Sequence, residues 1–466
     1  MKKTKIVCTI GPASNNSDTI KKLINAGMNV SRLNFSHGTH EDHKSTYDKI
    51  RKISREENSP CAILQDLSGP KIRTGKVEDE GIRLTKGENL TLTTEDITGK
   101  GSRVSVNYKN LPHDVNKNDR ILLADGLMEL EVEEISGNEI SCRIITGGIL
   151  TSNKGINLPG TSLNIPALTQ KDKKDLEFGI SLGVDYIALS FVKNSSDIDE
   201  IKDLIKSMGA DTPVIAKIEK HEAIDCIDDI IEKADGIMVA RGDLGVEVPL
   251  EKVPFYQKML VDKSVKAGKP VIIATQMLSS MVDSPRPTRA EATDIANAVL
   301  DGTDALMLSE ETASGNYPVE TVEYMRKIAD NAEEKYPYPK FDSKPASEAS
   351  TSVPYAACVL SSFANAQAIV APTRSGYTAA QISRFRPECK IIAISPVEEV
   401  VRKMCLYWGC VPSLICNPRD TDEMLEKGGE AALSSGHVKK GDKIIITAGH
   451  PVWVTGTTNM LKVKEL

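Results

Sequence analysis

A regular alternation of short apolar runs and amphipathic helical segments, broken once by a long stretch of another period, limits what this 466-residue chain can fold into. Apolar runs at residues 3–10, 28–35 and 61–67 read as strands. The segments between them, 17–26 and 41–57, carry apolar residues at helical spacing, and Gly27 stops the first. From about residue 71 to 166 the helical period disappears. Stretches such as RVSVNY and ELEVEEISGNEISCRII alternate polar and apolar residues between Gly, Asn and Pro turns, which marks an all-β insertion. The alternation resumes at residue 169. Helices at 169–182, 196–207, 255–267, 289–300 and 319–334 are interleaved with strands at 184–191, 214–218, 270–275 and 305–309, and a further helix and strand fill 219–241. Eight strands, each followed by a helix, predict a closed (β/α)8 barrel with right-handed crossovers, interrupted after its third strand. An open doubly wound sheet is the alternative.

This divides the chain into a barrel over residues 1–70 and 167–340, a β-barrel lid over 71–166 on two connections, and a third unit over 341–466. The Pro- and Ser-rich stretch YPYPKFDSKPASEA at 336–349 reads as the linker to that third unit. Beyond it, strands expected at 368–371, 390–394, 411–415 and 443–447 alternate with helices, giving a smaller α/β domain.

Composition narrows the classes. The chain is 40% apolar and 26% charged with a net charge of −7, so it offers no basic field for nucleic acid or an anionic membrane. Nine cysteines are scattered without a C-x-x-C pair, so neither a disulfide framework nor a zinc site is expected. The basic start MKKTKIVCTIG is interrupted by Thr9 and closed by Gly11-Pro12, and reads as a first strand rather than a signal peptide. No run approaches the ~20 apolar residues of a membrane helix. A cytoplasmic location is the expectation.

Chemistry concentrates at residues 214–245, VIAKIEKHEAIDCIDDIIEKADGIMVARGDLG. Two parallel strands joined by a helix would bring Lys217, Glu219, Arg241 and Asp243 to one rim, the usual location of chemistry in such folds. A basic group among hard oxygen ligands suits a divalent cation and an anionic substrate. Other strand ends add Arg32, Asn34, Ser36 and His37; Asp66 and Arg73; Thr275 and Gln276; Ser309 and Glu311.

The runs SRLNFSHGTHEDH, DLSGPKIRTG, KGINLPG, AKIEKHEAI, IMVARGDLGVE, IATQMLSSM and LSEETASGNYP resemble the successive motifs of the pyruvate kinase family, over nearly the whole chain. The resemblance implies phosphoryl transfer from phosphoenolpyruvate to ADP, giving pyruvate and ATP, with Mg²⁺ or Mn²⁺. Lys217 would stabilise charge on the phosphoryl group and the enolate, with Glu219 and Asp243 as metal ligands. Gly242 and its neighbours would present backbone N–H groups to the substrate carboxylate. Arg32 and Arg73 match phosphate-binding arginines and His37 a nucleotide-side histidine. Thr275 lies where the enolate carbon is protonated, ordering water with Ser309 and Glu311; Thr275 and Ser309 read equally as helix caps. In the lid, Asp125 and Lys154 match residues closing over the nucleotide, and read equally as turn residues. The family is commonly a homotetramer.

Two departures stand out. Where many members of the family have glutamate, this chain has Lys71; Asn34, Ser36, Asp66 and the Leu67 carbonyl match a monovalent-cation site, and a lysine ammonium would supply that charge permanently. Activity without added potassium is therefore expected, unless Lys71 points to solvent at the lid hinge. Glu310 stands where many relatives have glycine. In the third unit, Thr373-Arg374-Ser375-Gly376-Tyr377-Thr378 resembles an effector loop, with 449–459 as its neighbour. It reads as a phosphate cradle or as an ordinary capped helix. A sugar phosphate, a nucleoside monophosphate or no effector all remain open, because Tyr377 replaces a basic residue. Two other functions fit the rim: a metal-dependent lyase or mutase that stabilises a pyruvate enolate, and a non-catalytic sensor.

Overall fold

The computed structural model describes residues 2–78, 81–161, 163, 165–338, 349–449 and 458–466. Eight parallel strands close into a barrel: β1 (Lys5–Thr9), β2 (Val30–Asn34), β3 (Ala62–Asp66), β4 (Tyr186–Leu189), β5 (Val214–Ile218), β6 (Gly236–Ala240), β7 (Val271–Ala274) and β8 (Ala305–Leu308). They run around the barrel in chain order, and β8 closes on β1 with Ala305 opposite Lys5. Val7, Val30, Leu64, Ile215, Met238 and Ile272 fill one core cluster, while Ile6, Leu33, Ile63, Ile187 and Ile237 join a second with helix residues such as Leu23 and Ile50. Burial on both faces is why these strands read as continuous apolar runs.

The helices begin where the sequence supplies caps. Thr39, Thr169, Asn194 and Thr288 each accept a backbone N–H, and an acid three residues later returns the bond. One expected helix is different: between β5 and β6 the chain breaks at Cys226 into His221–Asp225 and Ile227–Lys233. Arg241 also leaves the strand and starts a short helix, Arg241–Glu247.

The insertion is all β. A six-stranded sheet and a two-stranded sheet enclose their own core of Leu90, Leu92, Ile121, Leu130, Ile140 and neighbours. The C-terminal unit is a five-stranded sheet in the order Cys410–Leu414, Lys390–Ser395, Ala368–Pro372, Lys443–Gly449, Thr458–Glu465. The last strand is antiparallel and was not expected from the sequence, since its lysines mask the apolar period at a sheet edge. This unit sits at the N-terminal mouth of the barrel, where Arg386 meets Asp304 at 2.9 Å and Lys390 Nζ donates to the Lys2 carbonyl at 2.7 Å. The opposite, C-terminal mouth is left to the lid. No helix among the described residues is long and apolar enough to cross a membrane. Residues 450–457 of the expected effector neighbour, and 339–348 of the linker, lie outside the described residues.

Candidate active site

The ends of β2, β3, β4 and β5 meet around one lysine. Lys217 Nζ donates to Ser190 Oγ at 2.6 Å and stands 3.2 Å from Asp66 Oδ1 and 3.0 Å from Glu219 Oε1. Burial opposes its charge, but Asp66 and Glu219 prevail and raise its pKa, so the ammonium is charged throughout the neutral range. Arg32 Nε donates to Asp66 Oδ2 at 2.6 Å, and its Nη1 to Thr9 Oγ1 at 2.9 Å. Asp66 is buried; although burial resists ionisation, Lys217 and Arg32 hold its carboxyl below the usual carboxylate range. Nothing marks Ser190 in the sequence beyond its place at a strand end. Its hydroxyl donates to the Leu67 carbonyl at 2.7 Å while accepting from Lys217.

Glu219 is 2% exposed and accepts the Phe191 N–H at 2.8 Å; Phe191 holds a left-handed φ of 56°. Burial lifts the Glu219 carboxyl above its ordinary value despite Lys217, and the Asp243 charge adds to the rise. The buried Glu219 carboxylate with the Asp243 carboxylate beside it offers hard oxygen donors of the kind a divalent cation takes. Among the described residues no three His, Cys, Asp or Glu side chains form a complete cage.

Helix Arg241–Glu247 carries Gly242 and Asp243 in its first turn. Arg241 is spent on structure: its guanidinium donates to Asp294 at 2.7 Å, Gln257 at 3.2 Å and the Thr275 carbonyl at 3.0 Å. The Gly242 N–H donates to Thr275 Oγ1 at 2.7 Å, and that hydroxyl donates to the Ala274 carbonyl at 2.7 Å. A side chain at Gly242 would press on Thr275 Oγ1 at 3.3 Å. Thr275 and Gln276 both hold left-handed φ values, 66° and 57°, strained for a β-branched threonine. Glu311 is buried, and its two oxygens accept the N–H groups of Leu278 at 3.2 Å and Ser309 at 2.6 Å. It therefore fixes the loops after β7 and β8.

Arg32, Asn34, His37, Ser309, Glu310 and Pro12 line a cleft of about 690 Å³ beside this centre. The size suits a nucleotide. Glu310 brings an exposed carboxylate to its wall. Arg73 lies at the lid connection, with Nη1 donating to the Asn153 carbonyl at 3.1 Å. Lys154 is exposed and its backbone pairs with Thr74. Asp125 is 75% exposed, 3.9 Å from Lys71 Nζ. Lys71 Nζ is also 3.7 Å from Asp243. Among the described residues no ion pair or hydrogen bond joins the Lys71 side chain to Asn34, Ser36, Asp66 or Leu67, so its charge sits on the Asp243 side of the site. Asn34 Oδ1 accepts the Ser36 N–H at 3.1 Å, and Ser36 Oγ accepts from Ser68 at 3.0 Å.

Far from this rim, Gly376 holds a left-handed φ of 89° before the helix Tyr377–Ser383 and donates its N–H to Thr373 Oγ1 at 2.9 Å. Thr378 Oγ1 bonds Thr458 Oγ1 at 2.9 Å, while Arg374 and Ser375 are exposed.

Comparisons with known proteins agree over the full length. Residues 1–322 match the family model described as pyruvate kinase, barrel domain, and residues 351–464 the one described as pyruvate kinase, alpha/beta domain. A pyruvate kinase from Staphylococcus aureus (strain MRSA252) is 48% identical over 469 aligned positions, 99% of this chain and 80% of the relative. One from strain MW2 matches to the same extent. The crystal structure of a pyruvate kinase from Cryptosporidium parvum superposes with a TM-score of 0.94 at 36% identity, covering 100% of this chain and 96% of the other.

Proposed function

Because the chain belongs to the pyruvate kinase family, we propose that it moves the phosphoryl group of phosphoenolpyruvate onto ADP, giving pyruvate and ATP, with Lys217 at the centre of the reaction. The observation that carries this is the placement of the Lys217 ammonium between Asp66 and Glu219 at the end of β5. The P–O bond to the enol oxygen breaks as a terminal ADP oxygen bonds phosphorus. Negative charge then develops on the equatorial phosphoryl oxygens and on the enolate.

Lys217 and Arg32 supply fixed positive charge to that transition state. Asp66 holds both cations in place, so little reorganisation is needed when the charge develops. Glu219 and Asp243 would hold Mg²⁺ or Mn²⁺, which when bound neutralises charge on substrate oxygens. Held between Asp66 and Glu219, the Lys217 ammonium acts as a fixed positive charge. The proton that converts enolate to pyruvate arrives on the Thr275 face of the site. The Thr275 hydroxyl donates a hydrogen bond to the Ala274 carbonyl, accepts one from the Gly242 N–H, and acts by placing Gly242 and solvent on that face. ADP occupies the cleft beside Arg32 and His37, with Arg73, Asp125 and Lys154 of the lid above it.

The same reading includes independence from potassium, supported by the fixed Lys71 charge beside Asp243. It also includes a phosphorylated effector at Thr373, Arg374, Ser375, Gly376 and Thr378, for which the exposed Arg374 is the support, and a homotetramer, for which the exposed Leu250 and Phe255 are. Assay of the purified chain for pyruvate from phosphoenolpyruvate and ADP, with Mg²⁺ and after chelation, tests the activity and its metal. Turnover that is absent with Mg²⁺, or unchanged by chelation, contradicts the corresponding part.

A further inference from the structure

We infer that Glu247 is a positioning residue that ties the lid to the helix carrying Asp243, so that the lid's position sets that of the carboxylate. The inference rests on the phosphotransfer reading above. Glu247 ends the helix Arg241–Glu247, whose first turn holds Gly242 and Asp243. It is 4% exposed, a costly environment for a carboxylate without partners.

Its partners come from two other elements. Oε1 accepts from Lys220 Nζ at 2.7 Å, one residue beyond Glu219. The same oxygen accepts from Asn157 Nδ2 at 3.4 Å, and Asn157 belongs to the lid strand Ile156–Asn157 and is itself buried. The other oxygen, Oε2, is buried without a hydrogen bond among the described residues; His221 Nδ1 stands 3.7 Å away. One carboxylate thus joins the loop after Glu219, the end of the Asp243 helix and the lid. The lid contact is long for a hydrogen bond, and a small movement of the lid toward the barrel shortens it. A seven-residue helix transmits a shift at Glu247 to Asp243 one turn away.

The experiment uses the full chain with Mg²⁺ and the variants Asn157→Ala, Glu247→Gln and their double. Asn157→Ala is expected to lower kcat about tenfold and raise the KM for ADP, with the KM for phosphoenolpyruvate within about twofold of the parent. Glu247→Gln removes the charge that strengthens the acceptor Asn157 meets, so it should cost less on the Asn157→Ala background than in the parent. Amide hydrogen exchange, which does not depend on activity, should rise in Asn157→Ala over residues 72–78 and 154–158. Parent-like kinetics and exchange in Asn157→Ala, or fully additive effects in the double variant, overturn the tie. A parent without pyruvate formation refutes the phosphotransfer reading instead, and unchanged exchange still refutes the tie.

Discussion

Gly242 donates its backbone N–H to the Thr275 hydroxyl across 2.7 Å, pinning the start of the Asp243 helix to the end of β7. The hydroxyl's own proton is committed to the Ala274 carbonyl. Thr275 thereby fixes the start of the Asp243 helix while keeping a strained backbone.

Replacing Thr275 by Ala frees that N–H and removes the ordering group on the protonation face. The expected outcome is a fall in kcat of about 100-fold, the size of loss that misplaced reacting groups produce. Thr275→Ser should retain most of the rate. A Thr275→Ser variant as slow as Thr275→Ala, measured by steady-state pyruvate formation, contradicts the role of the hydroxyl.

Asp66 is the shared anion of Arg32 and Lys217, and all three are nearly buried. Asp66→Asn leaves two cations without their common counter-charge. A loss of about 3 kcal/mol in unfolding free energy is expected, typical of breaking a buried pair by one partner. Denaturant titration measures it, and a loss below about 1 kcal/mol would show the pair to be screened as on a surface.

Much of this arrangement was legible in the sequence because buried parallel strands write themselves as apolar runs, and Lys217, Glu219 and Thr275 stand where those runs end. Ser190 and Phe191 also end a strand, but a serine and a phenylalanine carry no charge pattern to mark them. The break at Cys226 was hidden because an apolar helical period continues across it. The partners of Lys71 were illegible for another reason. Asp125 and Asp243 lie 54 and 172 residues further along the chain, and only the fold brings them within 4 Å of its ammonium.

Lys71 brings a permanent charge to the site, so the parent should turn over equally in potassium chloride and in tetramethylammonium chloride. Lys71→Glu should turn over slowly without potassium and recover when it is added. A parent that loses most of its rate without potassium contradicts the account of Lys71.

At the other mouth of the barrel, burial with added repulsion from Lys5 pushes Lys390 down to about 7, and burial with the same repulsion pushes Lys2 to about 7. In the unfolded chain a lysine titrates near ~10.4. Between these values the unfolded state binds more protons than the folded one, so stability rises with pH from about 7 toward 10 and is lowest below 7. Lys390→Met should be more stable than the parent at pH 7 and show a flatter rise. Thermal unfolding at pH 7 and 9.5 checks this, and a parent less stable at 9.5 with no change in the variant contradicts it.

If Lys217 stabilises the phosphoryl group and enolate during transfer, removing its charge slows the transfer itself. ³¹P NMR of phosphoenolpyruvate and ADP with Mg²⁺ follows the phosphorus directly. The parent should convert the phosphoenolpyruvate signal into the γ-phosphate of ATP, and Lys217→Met, matched in length and lacking the charge, should slow this at least about 100-fold while staying folded. A Lys217→Met enzyme that forms ATP at the parent's rate would contradict the account.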